Sequence, residues 1–265
     1  MTEPRQLKNG LVALDPRLDR VPYFPESNRA YTVERLMTEV PQNAPRATRS
    51  WKPGPGMDQG LEGQCVLYGM THRRNSAPKR LKPAHTDQQA MALAYHDVQH
   101  LDPWPGCDWG SQCPREAGPD YGGTSVHSGM VYGRDHGWWS SFWWVGAGSG
   151  DAIGDVVRGN RAVGGVVYGL PWLESMFSPH PSGLVEVDRA SAQSGGHCVY
   201  SPAVRLKMRM PGEWTGTKEV AVIQQSWGED YGVADLGRPG GMVYVLLDDL
   251  DWLLHQGGEG AVVVR

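Results

Sequence analysis

Three short segments of this chain carry residue types that could do nucleophilic chemistry. The first is Asp58-Gln59-Gly60-Leu61-Glu62-Gly63-Gln64-Cys65. A helical pattern starts at Cys65, and a thiol at a helix N-terminus feels the positive end of the dipole, which favours the thiolate nucleophile. The glycines before it allow a tight turn and leave room for a substrate. The second is Ser194-Gly195-Gly196-His197-Cys198-Val199-Tyr200, where a histidine opens an apolar strand and can serve Cys65 as general base. The third is the apolar run Val220–Ile223 followed by Gln224-Gln225-Ser226-Trp227-Gly228. A side-chain amide at that strand end can orient an imidazole through its other ring nitrogen, and an indole above the bond excludes water. Each segment alone also reads as ordinary core or strand end. Their order, Gln…Cys…His…amide-Ser-Trp-Gly, is far more specific than any one of them.

The elements that must position these residues fall into two halves. Helical spacing is read over Cys65–Arg74, over Thr86–Leu101 (Ala90, Leu93, Ala94 and Val98, with Thr86 or Asp87 as cap) and over Thr124–Arg134 with Thr124 as cap. A short helix is expected over Asp151–Arg158. Strands are expected over Ala162–Tyr168, Gly183–Val187, His197–Leu206, Glu219–Gln225, Gly241–Leu246 and Ala261–Val264, with a helix over Asp248–Leu254. Helices first and strands second make an α+β fold. Residues 1–50, with one short helix over Thr32–Met37, read as an N-terminal extension that could cover a cleft. Pro41–Gly56 reads as a linker or arm. Residues 51–265 read as the domain, with a helical lobe over about 58–145 and a β-rich lobe over about 150–265.

Composition narrows the function. The chain has 265 residues and a formal net charge of −4, so no nucleic-acid partner is implied. It has 35 glycines and 20 prolines, well above ordinary usage, which suits a loop-rich fold and not a helical bundle. No apolar run reaches membrane-spanning length and no secretory signal opens the chain, so synthesis in the cytoplasm is expected. Four cysteines do not make a disulfide scaffold.

Taken together, the segments resemble the papain-like cysteine peptidases. Cys65 precedes His197 by about 130 residues, the family's spacing. Gln59 stands six residues before Cys65, where the family keeps an oxyanion-hole glutamine. Tyr121-Gly122-Gly123-Thr124-Ser125 resembles the glycine pair that hydrogen-bonds extended substrate, and Ser226-Trp227-Gly228 the triplet after the orienting residue. The resemblance implies a two-lobed fold, a peptide or protein substrate, no cofactor and no metal. It implies that Cys65 is the nucleophile, His197 the base, Gln225 the orienter and Gln59 the oxyanion donor. Trp227 would shield the orienting bond, and Gly63, Gly122, Gly123 and Gly196 would line the substrate site. Three positions depart from the family: Gln225 replaces the usual Asn, Val66 an aromatic residue, and Glu62 a disulfide cysteine. The last likens the chain to disulfide-poor bacterial or phage relatives, including a phage particle or assembly as its setting. A papain-fold binding or assembly protein without activity is the alternative, and a cell-wall amidase a weaker one.

Other features compete for attention. His96 and His100 share a helix face, as zinc ligands would, with no evident third ligand. Cys107 and Cys113 flank a short loop and could pair or remain free thiols. Cys198 should point away from His197 into the core. Trp138, Trp139, Phe142, Trp143 and Trp144 form either packing or a partner surface.

Overall fold

The computed structural model describes residues 47–61, 63–86, 88–101, 123–146, 152–209 and 216–265, with 5–6 and 12–13. The expected helix over Thr32–Met37, Glu62, Gly122, Cys107 and Cys113 lie outside the described residues.

Helix α1 (Cys65–Asn75) is buried on nearly every side. It can lie this close to the sheet because Gly69 faces Cys198; a methyl there would come 2.8 Å from Cys198 Sγ. Cys198 thus points into the core, as alternation along the strand requires. At the C-terminal end of α1 the Arg265 guanidinium donates to the carbonyls of Arg73 and Arg74 at 3.2 and 2.9 Å, a favourable site for a cation. Helix α2 (Gln88–His100) buries Met91, Ala94, Tyr95 and Val98. Leu93, expected on that face, is 52% exposed, because the buried stripe starts at Met91. Helix α3 (Val126–Asp135) is capped by Ser125, not Thr124: Ser125 Oγ accepts from Ser128 N at 3.1 Å.

All strands of the main sheet run antiparallel. A small ribbon pairs β1 (Arg5–Gln6) with β2 (Val12–Ala13). The main sheet comprises β3 (Arg49–Ser50), β4 (Ser141–Gly146), β5 (Val166–Leu173), β6 (Gln193–Arg209), β7 (Thr217–Gln224), β8 (Val233–Asp235), β9 (Arg238–Leu246) and β10 (Glu259–Val264). Its order is β4-β10-β5-β6-β7-β9-β8, with β3 on β6. Period-two alternation sends Val167, Cys198, Tyr200, Ala261 and Val263 toward α1–α3. It sends Tyr168, Leu170, Val199 and Val262 to the other face, toward helices α4 (Ala152–Val163) and α5 (Leu247–His255). Three of these elements differ from expectation. The helix expected to end at Arg158 continues to Val163, and Gly164 with φ +120° stops it, so the following strand starts at Val166. Gly183–Val187 makes a single bridge, Leu184 to Tyr244, instead of a strand. Phe142, Trp143 and Trp144 of the aromatic run fall in β4, since Trp and Phe suit a pleated, half-buried surface. Trp138 and Trp139, in the turn before it, and Trp144 are buried, and Phe142 and Trp143 are partly buried.

Candidate active site

The segment before Cys65 is strapped down along its length. Trp51 Nε1 donates to Asn160 O at 2.7 Å, and Gln224 Nε2 donates to the carbonyls of Gly54 and Pro55 at 3.2 and 3.1 Å. The strap then docks on the Ser226-Trp227-Gly228 turn. Gln59 N donates to Ser226 O at 2.8 Å, Gly228 N to Met57 O at 3.2 Å, and Asp58 bridges Trp227. Gly228, with φ +81°, supplies the left-handed backbone this turn needs. The Ser226 hydroxyl donates to Gln59 Oε1 at 2.5 Å. That bond fixes the amide's orientation, with its NH2 turned away from Ser226.

Cys65 opens α1 and is fully buried. Cys198 N donates to Cys65 Sγ at 3.3 Å, so the thiol sits beside the residue that follows His197. An N–H donor and a helix N-terminus both favour negative charge on the sulfur. His197 is 1% exposed, and its Nε2 lies 2.8 Å from Gln225 Oε1. The carbonyl oxygen only accepts, so this contact places a proton on Nε2. The amide's reach is set by the backbone: Gln225 follows β7, and its N donates to Gly241 O at 2.8 Å.

Aromatic rings enclose the imidazole. Trp227 stacks on it with centroids 4.5 Å apart at 20°, and Trp172 meets it edge-on at 4.8 Å and 78°. Phe177 stacks on Trp227 at 5.7 Å, and Tyr231 packs against Trp227 at 5.0 Å. An imidazolium in this cage gains cation–π attraction while water is kept from its hydrogen bond to Gln225.

Cys65, His197, Gln225, Gln59 and Trp227 are therefore brought together by contacts along one stretch of the fold. Gly63 is buried beside Gln64, and Gly196 pairs with Pro171 in the sheet. Gly123 differs from expectation. Its N donates to Tyr95 Oη at 2.5 Å and its carbonyl accepts from Gln99 Nε2 at 3.3 Å, so α2 takes up the N–H expected for substrate. The sequence reading missed Trp172, Phe177, Tyr231 and the role of Ser226. Eleven tryptophans against three phenylalanines was the signal for the cage, and Ser226, inside the triplet, was the signal for the clamp on Gln59. Among the described residues no group of three His, Cys, Asp or Glu could hold a metal, so the pair His96 and His100 finds no third ligand there. No described helix is long and apolar enough to cross a membrane.

Other buried ionisable groups lie outside this constellation, among them His72, Arg73 and Glu259. His72 is held down to about 3, first by burial and then by the Arg238 charge. Burial lowers Arg73 and raises Glu259 well above the usual carboxyl range.

No protein-family model and no curated protein sequence matches the chain. Solved structures match its fold. A digestive procathepsin L 3 from Tenebrio molitor larval midgut is 14% identical, over 94% of this chain and 76% of that one, with a TM-score of 0.50. The procathepsin L2 proteinase of the same midgut is 13% identical, over 98% and 79%, with a TM-score of 0.52. A structure from work on the mite allergens Blo t 1 and Der p 1 is 12% identical, over 98% and 80%, with a TM-score of 0.53. The chain has the papain-like α+β fold.

Proposed function

We propose that this protein is a papain-like cysteine peptidase that cleaves peptide or isopeptide bonds, of the disulfide-poor kind found in bacteria and phages. The observation that carries the reading is the chain of contacts from Gln225 to His197, and from the residue after His197 to Cys65 Sγ. In this reading the Cys65 thiolate adds to the substrate carbonyl carbon, and the carbonyl electron pair moves onto oxygen. The Gln59 amide and the Cys65 N–H hold that oxyanion. As the C–N bond breaks, imidazolium His197 gives its proton to the leaving amine, and a thioester to Cys65 remains. Water then attacks the thioester with His197 as base, releasing the acid and restoring the thiol pair. Gln225 takes the place of an orienting Asn, and Trp227 and Trp172 keep water off its bond to His197.

Residues 1–50 serve in this proposal as a cover over the cleft. The test is peptide hydrolysis by the full chain and by a form lacking residues 1–50, each beside Cys65→Ala. Hydrolysis that depends on Cys65 and rises on removal of the extension is the expected result. Folded protein that cleaves nothing in either form, with Cys65 as unreactive as an ordinary thiol, would favour a binding protein instead.

A further inference from the structure

Strand β7 ends on Gln224, and Gln225 follows it. Successive side chains of an extended chain point to opposite sides, so the two amides go to different places. Gln225 reaches His197. Gln224, fixed in the sheet between Tyr200 on β6 and Met242 on β9, reaches the strap before Cys65. There the strap lies flush on the C-terminal end of α1. Gly54 N donates to Ser76 Oγ at 2.8 Å, and a methyl on Gly54 would come 2.6 Å from Asn75 Cβ. From Gly54 the strap must carry Gln59 toward the other end of α1, which Cys65 opens. The helix is about 15 Å from end to end. The stretch from Gly54 to Gln59 spans at most about 17 Å, so it has almost no slack.

The Gln224 amide is 2% exposed and gives its NH2 to two strap carbonyls, those of Gly54 and Pro55. Two carbonyl acceptors fix which end of the amide faces the strap. Its own oxygen is buried with no hydrogen-bond partner among the described residues. A buried acceptor left unpaired costs stability, and folded proteins keep few of them without a use for the group. An apolar side chain of the same length would avoid that cost. The donors to the strap are what the amide adds at this position.

We propose that Gln224 is a positioning residue for the oxyanion site: it sets the register of the taut strap at Gly54 and Pro55, and through the strap the place of the Gln59 amide. The inference rests on the peptidase reading above. The adjacent glutamines then serve the two halves of the reaction, Gln225 the base and Gln224 the oxyanion donor. Loss of Gln224 slows only a step in which a carbonyl oxygen takes up charge. When Cys65 attacks an ester, the carbonyl electron pair moves onto oxygen and calls on Gln59. When Cys65 attacks iodoacetamide, the S–C bond forms as the C–I bond breaks. Iodide leaves, and no oxyanion arises.

The experiment measures two second-order rates at Cys65 of the full chain. One is acylation by N-benzyloxycarbonylglycine p-nitrophenyl ester, read as release of p-nitrophenolate; the other is alkylation by iodoacetamide. In Gln224→Met the ratio of acylation to alkylation should fall about tenfold, a part of what outright loss of an oxyanion donor costs. Gln224→Asn, whose amide stops about 1.5 Å short of the strap, should fall likewise and carries the test if the methionine variant does not fold. Added to Gln59→Ala, Gln224→Met should change the ratio less than about twofold, because the amide it places is gone. A ratio within about twofold of wild type in the folded variants overturns the inference. So does a fall of both rates together, which marks general loosening, or a full further loss in the Gln59→Ala background. Failure of the peptidase reading looks different: wild-type Cys65 is then alkylated but never acylated, and this inference falls with it.

Discussion

The bond between Gln225 and His197 makes a quantitative prediction, because the amide there is one methylene longer than the asparagine of the family the chain resembles. Gln225 Oε1 sits 2.8 Å from His197 Nε2, with both residues about 1% exposed. A buried hydrogen bond to a charged partner contributes about 1.5–3 kcal/mol. Gln225→Ala should therefore lower kcat/KM about 10- to 150-fold. Gln225→Asn draws the oxygen back by about one C–C bond, ~1.5 Å. The contact then stretches to about 4 Å, past hydrogen-bonding range, so asparagine should cost about as much as alanine. The assay is kcat/KM for a cleaved peptide together with the rate of Cys65 alkylation at pH 6, with melting temperatures to show that both variants fold. Gln225→Ala within twofold of wild type would refute the orienting role. Gln225→Asn at the wild-type rate, with alanine impaired, would refute the reach argument and show that the turn after β7 moves to compensate.

The clamp on Gln59 gives a second test: Ser226→Ala should lower kcat/KM about tenfold, and added to Gln59→Ala should cost almost nothing more, since it acts through that amide. Additive losses would contradict the clamp. His72 gives a third. Its folded value near 3 lies below the usual 6.5, so the unfolded chain takes up a proton that the folded chain refuses as pH falls through that window. Stability should drop by about 4–5 kcal/mol between pH 7 and pH 3 from this residue alone. Urea unfolding of His72→Leu should show a flatter acid limb, and an unchanged slope would count against it. Glu259 carries the opposite sign, because its raised folded value keeps a proton that the unfolded chain releases above the usual 4.5. Glu259→Gln should therefore gain stability over wild type at pH 8 and little at pH 4 in the same titration.

How much of this could be read from the sequence differs from residue to residue. Cys65, His197 and Gln225 were legible because their chemistry is local: a thiol before a helical pattern, a histidine opening a strand, an amide closing one. The bond from His197 to Gln225 follows from those strand ends lying on neighbouring strands, β6 and β7. The cap of α3 was off by one position because Thr124 and Ser125 are both hydroxyl residues, and only the turn geometry selects between them. The aromatic run was readable as apolar, but its role as an edge strand depends on β10, more than a hundred residues on. Glu259 was invisible for the same reason. Nothing in Gly258-Glu259-Gly260 marks a buried acid; its burial comes from glycines on two other strands and from α3 above them. The strap over residues 49–57 looked like a linker, because proline and glycine also suit a segment held by its backbone carbonyls.

The most direct test of the account is the pH profile of Cys65 alkylation by iodoacetamide, mapped by mass spectrometry in wild type and in His197→Ala. A thiolate–imidazolium pair predicts fast labelling of Cys65 well below pH 7 that is lost in His197→Ala. A Cys65 that reacts only as an ordinary thiol with a pKa of about 8.5, and equally in both proteins, would contradict it.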